Sequence, residues 1–253
     1  VGIMPLSNST FRVKADRPDW RDYKYSFVRN SNPRQVVDLR PWCSPVEDQL
    51  HLGSCVGQAV VGAFELMINK LYPGKFVDLS RLFVYYNARA LDNAIYEDVG
   101  AYTRDGIKAV NKWGVCNELI WPYLIDKFAW APSIQSYDDA KNRLIKKYYR
   151  INTVQDMIDA LDSDYPIVIS MNVYNSFYNL ENAGQNILDM PVDSDEIIGG
   201  HAVTLVGYDL TKRLLLARNS FGVDWGDKGY FWIPFDYASY DIMDCWIFDI
   251  ELK

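Results

Sequence analysis

The stretch CVGQAVVGAFELMINKL, residues 55–71, constrains the fold more than any other part of the chain. It is apolar nearly all round, whereas a surface helix shows one apolar stripe. Such a helix belongs at the centre of a domain, packed on several sides. Ser54 is placed to cap its start, and Pro73-Gly74 to stop it. More helices are predicted around it. One opens at Ser80, with Leu82, Phe83, Tyr85, Tyr86 and Ala90 available for packing. One opens at Thr103, with Ile107, Val110 and Trp113 on one face and Gly114 as its stop. A fourth is predicted from about Tyr137 to Tyr149. A short fifth runs from Val154 to Leu161, entered through Thr153 with Asp156 three residues on.

After Pro166 the pattern changes. IVISMNV, HAVTLVGY, RLLLARN, GYFWIP and CWIFDIEL are short β-branched or aromatic runs bounded by turn residues, and they read as strands. Residues 209–212 join two of them as a hairpin. Helices first and antiparallel strands second make an α+β protein with segregated layers. The expected division is a helical half at about 54–135 and a β-rich half at about 150–253, with a site in the cleft between them. Residues 1–35 are polar and irregular, with Pro5, Pro18 and Pro33, and read as an arm laid over the surface of a domain spanning 36–253.

The net charge of -7 argues against nucleic acid as a partner. No apolar run approaches the roughly 18–20 residues that span a bilayer, so no membrane partner is expected. The segment VGIMPLSNSTFRVK lacks an apolar signal core. The four cysteines (43, 55, 116 and 245) include no C-x-x-C pair, which argues against a zinc cage or a disulfide scaffold. Asp189, Asp193, Asp195 and Glu196 lack the Gly and terminal Glu of an EF-hand loop and read as a solvated loop. No metal and no cofactor is expected.

Only two histidines are present, His51 and His201. Cys55 stands at the first turn of the apolar helix, where the helix field favours a thiolate. A lone cysteine there is more often an inert core residue. Gln49, six residues upstream, can aim a side-chain N–H at the space above the sulfur. With the Cys55 backbone N–H it would make a pair of donors for an oxyanion. His201 heads an apolar strand behind Gly199 and Gly200. Asn219 closes the next strand, and a hairpin at 209–212 brings both to the same end of the ladder. Asn219 then accepts from one imidazole nitrogen and leaves the other for a thiol. His51 has no such orienting group nearby and reads as a surface loop residue. Cys43, Cys116 and Cys245 read as buried thiols.

The blocks VEDQLHLGSCVGQA, GGHAVTLVGYD and RNSFGVDWGDKGYFWIP resemble the three signature blocks of papain-like cysteine peptidases. The likeness runs from about Val37 to the C-terminal strand, and the middle segment resembles the compact bacterial and viral branch. It implies the papain-like two-subdomain fold: a helical half with a central Cys-bearing helix, and an antiparallel β-barrel-like half. It implies Cys55 as nucleophile, His201 as base and acid, Asn219 as orienting residue and Gln49 as oxyanion donor. It also places Ser170, Ala202, Gly200 and Trp225 on the substrate-binding walls. Three positions depart from the family pattern: Val56 and Phe221 stand where tryptophans are usual, and Leu52 stands where a disulfide cysteine is usual. The last fits a reducing compartment, cytoplasmic or virion-associated. The implied activity is endopeptidase cleavage of a peptide or protein substrate. Two alternatives share the residues: an amidase or transamidase of the same fold, and a non-catalytic structural component, for instance of a virus particle.

Overall fold

The computed structural model describes residues 10–25, 30–181 and 186–253. Along the chain come β1 (Val36–Asp38), α1 (Cys55–Leu71), α2 (Arg81–Leu91) and α3 (Thr103–Trp113). Then follow α4 (Ile134–Ala140), β2 (Arg143–Arg150), α5 (Val154–Asp162), β3 (Ile167–Tyr174), β4 (Ile197–Asp209) and β5 (Leu214–Arg218). The chain ends with β6 (Tyr230–Pro234), α6 (Phe235–Asp241) and β7 (Ile242–Leu252). This is the α+β architecture expected. All strand pairs are antiparallel, in the order β2-β7-β3-β4-β5-β6, with β1 alongside β4. The path does not return from β6 to β2, so the sheet stays open and the barrel-like expectation is corrected to that extent. Closure would require tilt and stagger all the way round. Here helices pack on both faces instead.

Side-chain alternation along the strands explains the layering. Ile167, Ile169, Met171 and Val173 of β3 join one core, with Met157 and Leu161 of α5 and Tyr237 of α6. Val168 of β3 and Trp246, Phe248 and Ile250 of β7 join the other, around α1, α2 and α3. Residues 55–68 of α1 are all buried, as its all-round apolar surface demands. Its start differs from expectation in one respect. The Ser54 hydroxyl makes no cap bond and meets the Tyr123 hydroxyl at 2.6 Å instead. The Thr153–Asp156 capping box of α5 is present in full.

The predicted helix over 137–149 is wrong beyond its first turn. α4 ends at Ala140, and Arg143–Arg150 form a strand paired with β7. A free sheet edge 100 residues downstream overrides the helix preference of a Lys/Arg-rich segment. The hairpin after β4 forms, but with a bulge between Leu205 and Gly207, so Thr204 faces Arg218. Asn219 therefore sits just past the end of β5 and reaches His201 diagonally.

The arm lies over the domain along a defined path. Its residues 1–9 and 26–29 lie outside the described residues. Residues 10–25 do not decorate a free surface. They bridge to Gly200 through Arg12, to Tyr102 through Lys14 and to Arg150 through Lys24. The arm thus runs between the helical wall and the sheet wall.

Candidate active site

Gln49 is carried by a loop that is tied to the segment after β5. Its backbone N–H donates to the Ser220 carbonyl at 2.8 Å, and the Gly222 N–H donates to the Glu47 carbonyl at 3.0 Å. The Gln49 side chain is fully buried. Its Oε1 accepts from the Ser220 hydroxyl at 2.6 Å, which fixes the amide plane. Its Nε2 donates one hydrogen to the Leu52 carbonyl at 2.9 Å, and an amide nitrogen has two. Deeper in, Glu65 of α1 binds Arg81 and Ser44, and Arg218 binds Ser44, so this loop rests on a buried charge network.

His201 meets Asn219 at 2.8 Å between Nε2 and Oδ1. Because that oxygen only accepts, the bond makes Nε2 the protonated nitrogen of the neutral ring. Nδ1 is buried and has no hydrogen-bond partner. Phe221 stacks on the imidazole, with centroids 5.0 Å apart and planes 22° apart. A phenyl ring thus covers the ring face in the place where the family usually has an indole. Trp225 stacks on Phe177 and meets Phe221 edge-on, on the far side of this aromatic cluster.

The Cys55 thiol is fully buried, and burial pushes its pKa up to about 11. The backbone N–H groups of Ala202, Val56 and Cys55 act in the opposite direction. Ala202 is the residue after His201, so the strand that carries the imidazole also lies against the thiol. Burial pulls the His201 pKa down to about 4, with the Asn219 bond opposing it. Both shifts favour the uncharged pair. The cover responsible includes the arm: Phe11, 3% exposed, stands edge-on to His201 at 5.5 Å.

The chain's similarity to known proteins agrees with this geometry. Residues 33–248 match the model of the papain family cysteine protease. The chain belongs to that family. A peptidase C1-like protein of Acanthamoeba polyphaga mimivirus is 39% identical over 225 residues, covering 85% of this chain and 72% of that one. Chymopapain of Carica papaya is 26% identical over 246 residues, covering 90% and 65%. The crystal structure of xylellain, a cysteine protease from Xylella fastidiosa, superposes with a TM-score of 0.91 at 32% identity, covering 98% of this chain and 99% of that one. The protein is accordingly a papain-like thiol hydrolase with the family's fold.

Among the expected site residues, the fold joins His201 directly to Asn219, ties Gln49 to Ser220, the residue after Asn219, and sets Cys55 against Ala202, the residue after His201. Gly200, Ala202 and Ser170 lie in one patch on neighbouring β4 and β3, where Ser170 pairs with Ala202. The Ser170 hydroxyl donates to Asp244 Oδ2 at 2.9 Å. Trp225 stands apart from that patch, behind Phe221. His51 is exposed on its turn. Cys116 and Cys245 are buried and Cys43 is only half-buried; all four thiols are free. Sequence reasoning missed the arm residues Phe11, Arg12, Val13 and Asp16, and Asp98 and Asp244, the partners of Arg12 and Asp16. None lies in a motif; Gly199 and Gly200 before His201 were the local hint of a close backbone neighbour, and Phe11 and Val13 press on them.

Proposed function

We propose that the protein hydrolyses peptide bonds with Cys55 as nucleophile, His201 as general base and acid, Asn219 as orienting residue and Gln49 as oxyanion donor. The observation that carries this is the His201 ring. One nitrogen is held by Asn219, and the other is buried without a partner, next to the residue whose N–H serves the thiol. The thiol proton moves to Nδ1, and sulfur attacks the scissile carbonyl carbon. The oxyanion is received by the remaining Gln49 N–H and the Cys55 N–H. The Nδ1 proton goes to the leaving amine as the C–N bond breaks. Water then adds to the thioester with His201 taking its proton, and the acid leaves as the thiol re-forms.

In this reading the described form is latent. Cys55 and His201 have no exposed surface, so a substrate enters only after residues 11–16 lift. Lifting the arm returns water to the site, relaxes the burial on both groups and favours the thiolate–imidazolium pair. The arm also indicates what the cleft accepts. Val13 is buried in an apolar cluster with Cys55, Ala202 and Met243, which supports an apolar side chain one position upstream of the residue at the cut. Cleavage of a fluorogenic peptide library under reducing conditions tests the whole reading. Cys55→Ala and His201→Ala should abolish turnover, and Gln49→Ala should lower it about 10- to 1000-fold. Asn219→Ala should cost less, and His51→Ala little. Full cleavage by Cys55→Ala would end the proposal.

A further inference from the structure

Asp98 is an acidic side chain in the cleft that the mechanism does not use. It lies on the helical wall between α2 and α3. Its Oδ1 accepts from the Tyr85 hydroxyl at 2.5 Å, and the Gly53 N–H is shared between Oδ1 at 3.1 Å and Oδ2 at 3.2 Å. The carboxylate is thereby fixed two residues before Cys55. Its Oδ2 faces the arm and pairs with Arg12 Nη1 at 3.2 Å. Arg12 lies at the level of the reacting residues. Its stem packs on Gly53, where an added Cβ would stand 3.0 Å from Arg12 Cδ, and its backbone bridges to Gly200, the residue before His201. The Arg12 carbonyl is pressed on Gly100, where a Cβ would meet it at 1.8 Å. Phe11 precedes it against His201, and Val13 follows it against Ala202 and Met243. The cation of the arm therefore lies between a residue packed on His201 and a residue buried beside Ala202 and Met243.

We propose that Asp98 is a specificity-determining residue: it selects a basic side chain at the substrate position on the acyl side of the cut, and Arg12 fills that place while the arm is docked. The inference rests on the peptidase reading above. Asp98 has a preset geometry, because the Gly53 N–H holds both its oxygens and Tyr85 holds Oδ1. A guanidinium or ammonium gains a fixed anion there. A carboxylate meets repulsion, and a neutral amide gains only a hydrogen bond.

The test uses the full chain, its Asp98→Asn and Asp98→Glu variants, and peptides of one sequence with Arg, Lys, Gln or Glu at the position before the cut. The expected result is a preference for Arg over Gln of about tenfold in kcat/KM that falls towards unity in Asp98→Asn and returns in part in Asp98→Glu. A loss that is equal for all four peptides would show a merely structural role and overturn the proposal. A second readout needs no turnover: the rate at which a thiol-directed reagent labels Cys55. Arg12→Gln should raise that rate a few-fold in the parent and leave it unchanged in Asp98→Asn. If peptides are not cleaved but this non-additivity appears, the peptidase reading fails while the cation site stands. If Arg12→Gln acts equally with and without Asp98, the cation site fails.

Discussion

The two ends of the arm hold the cleft in different ways. At the reacting end, Phe11 and Val13 are buried among aromatic and aliphatic side chains, and Arg12 is paired once, with its side chain 34% exposed. At the other end, Asp16 sits in a dense polar clamp. Its Oδ1 accepts from the Arg104 N–H at 3.1 Å, and its Oδ2 accepts from the Trp246 indole N–H at 2.8 Å. Its own N–H donates to Asp244 Oδ2 at 2.8 Å. Arg104 also reaches Asp22 at 2.6 Å, and Arg150 reaches Asp244 at 2.5 Å. Arg104 is in the first turn of α3, whose N-cap Tyr102 supplies no side-chain bond, so the arm provides that cap. Trp246 and Asp244 are on β7. One carboxylate thus bridges both walls of the cleft. The apolar end covers the chemistry, and the polar end fixes where the arm lies.

The largest expected effect follows from breaking the polar end. Asp16→Ala removes one partner of a buried, charge-bearing cluster, a change worth about 3–5 kcal/mol. Cys55 labelling in the full chain should rise more than about 100-fold if that energy goes into docking. Circular dichroism should show an unchanged fold. An unchanged labelling rate would mean the apolar end alone holds the arm.

Phe11→Ala attacks the other end. Burying a phenylalanine side chain contributes about 2 kcal/mol, which corresponds to roughly a 30-fold rise in labelling. The comparison is broken if this variant exceeds Asp16→Ala, because the covering end would then also be the holding end.

The contrast between the ends also explains what was legible in the sequence. Cys55, Gln49, His201 and Asn219 stand in local settings that carry their own signals: a helix start, a loop before it, and the ends of two apolar strands. The capping box at Thr153 and the strands after Pro166 are local in the same sense. β2 was missed because its state is set by pairing with β7, and Arg143–Arg150 alone do not indicate it. Where the arm docks was illegible for the same reason on a larger scale. Asp16 is one charged residue in a polar run until Trp246, 230 residues away, is beside it. Ser54 was assigned a cap it does not form because Tyr123 takes its hydroxyl. Asp98 has no motif, and only the folded wall shows that Gly53 and Tyr85 fix its carboxylate towards Arg12.

The smallest expected effect is the response of the wild-type arm to pH, because its two ends are linked to protons with opposite sign. Burial and the neighbouring Asp244 carboxylate raise the Asp16 pKa to about 6 in the docked arm, while Arg104 and the two hydrogen bonds oppose the shift. A docked group that holds its proton more tightly than the free one favours docking as pH falls through about 6. Burial lowers the His201 pKa to about 4 in the covered site. A group buried neutral disfavours docking as pH falls below its ordinary value of about 6.5. Between about pH 5 and 6 these contributions largely cancel, leaving at most a few-fold change in docking. Asp16→Asn removes the first contribution and leaves the second, so its arm should release on acidification by roughly tenfold or more. The Trp246 indole N–H reports this directly, because it is protected from solvent exchange only while residue 16 accepts its hydrogen bond. Wild-type protection that changes steeply between pH 6 and 5, or an Asp16→Asn arm that is as indifferent to acid as the wild type, would show that the two ends do not oppose each other.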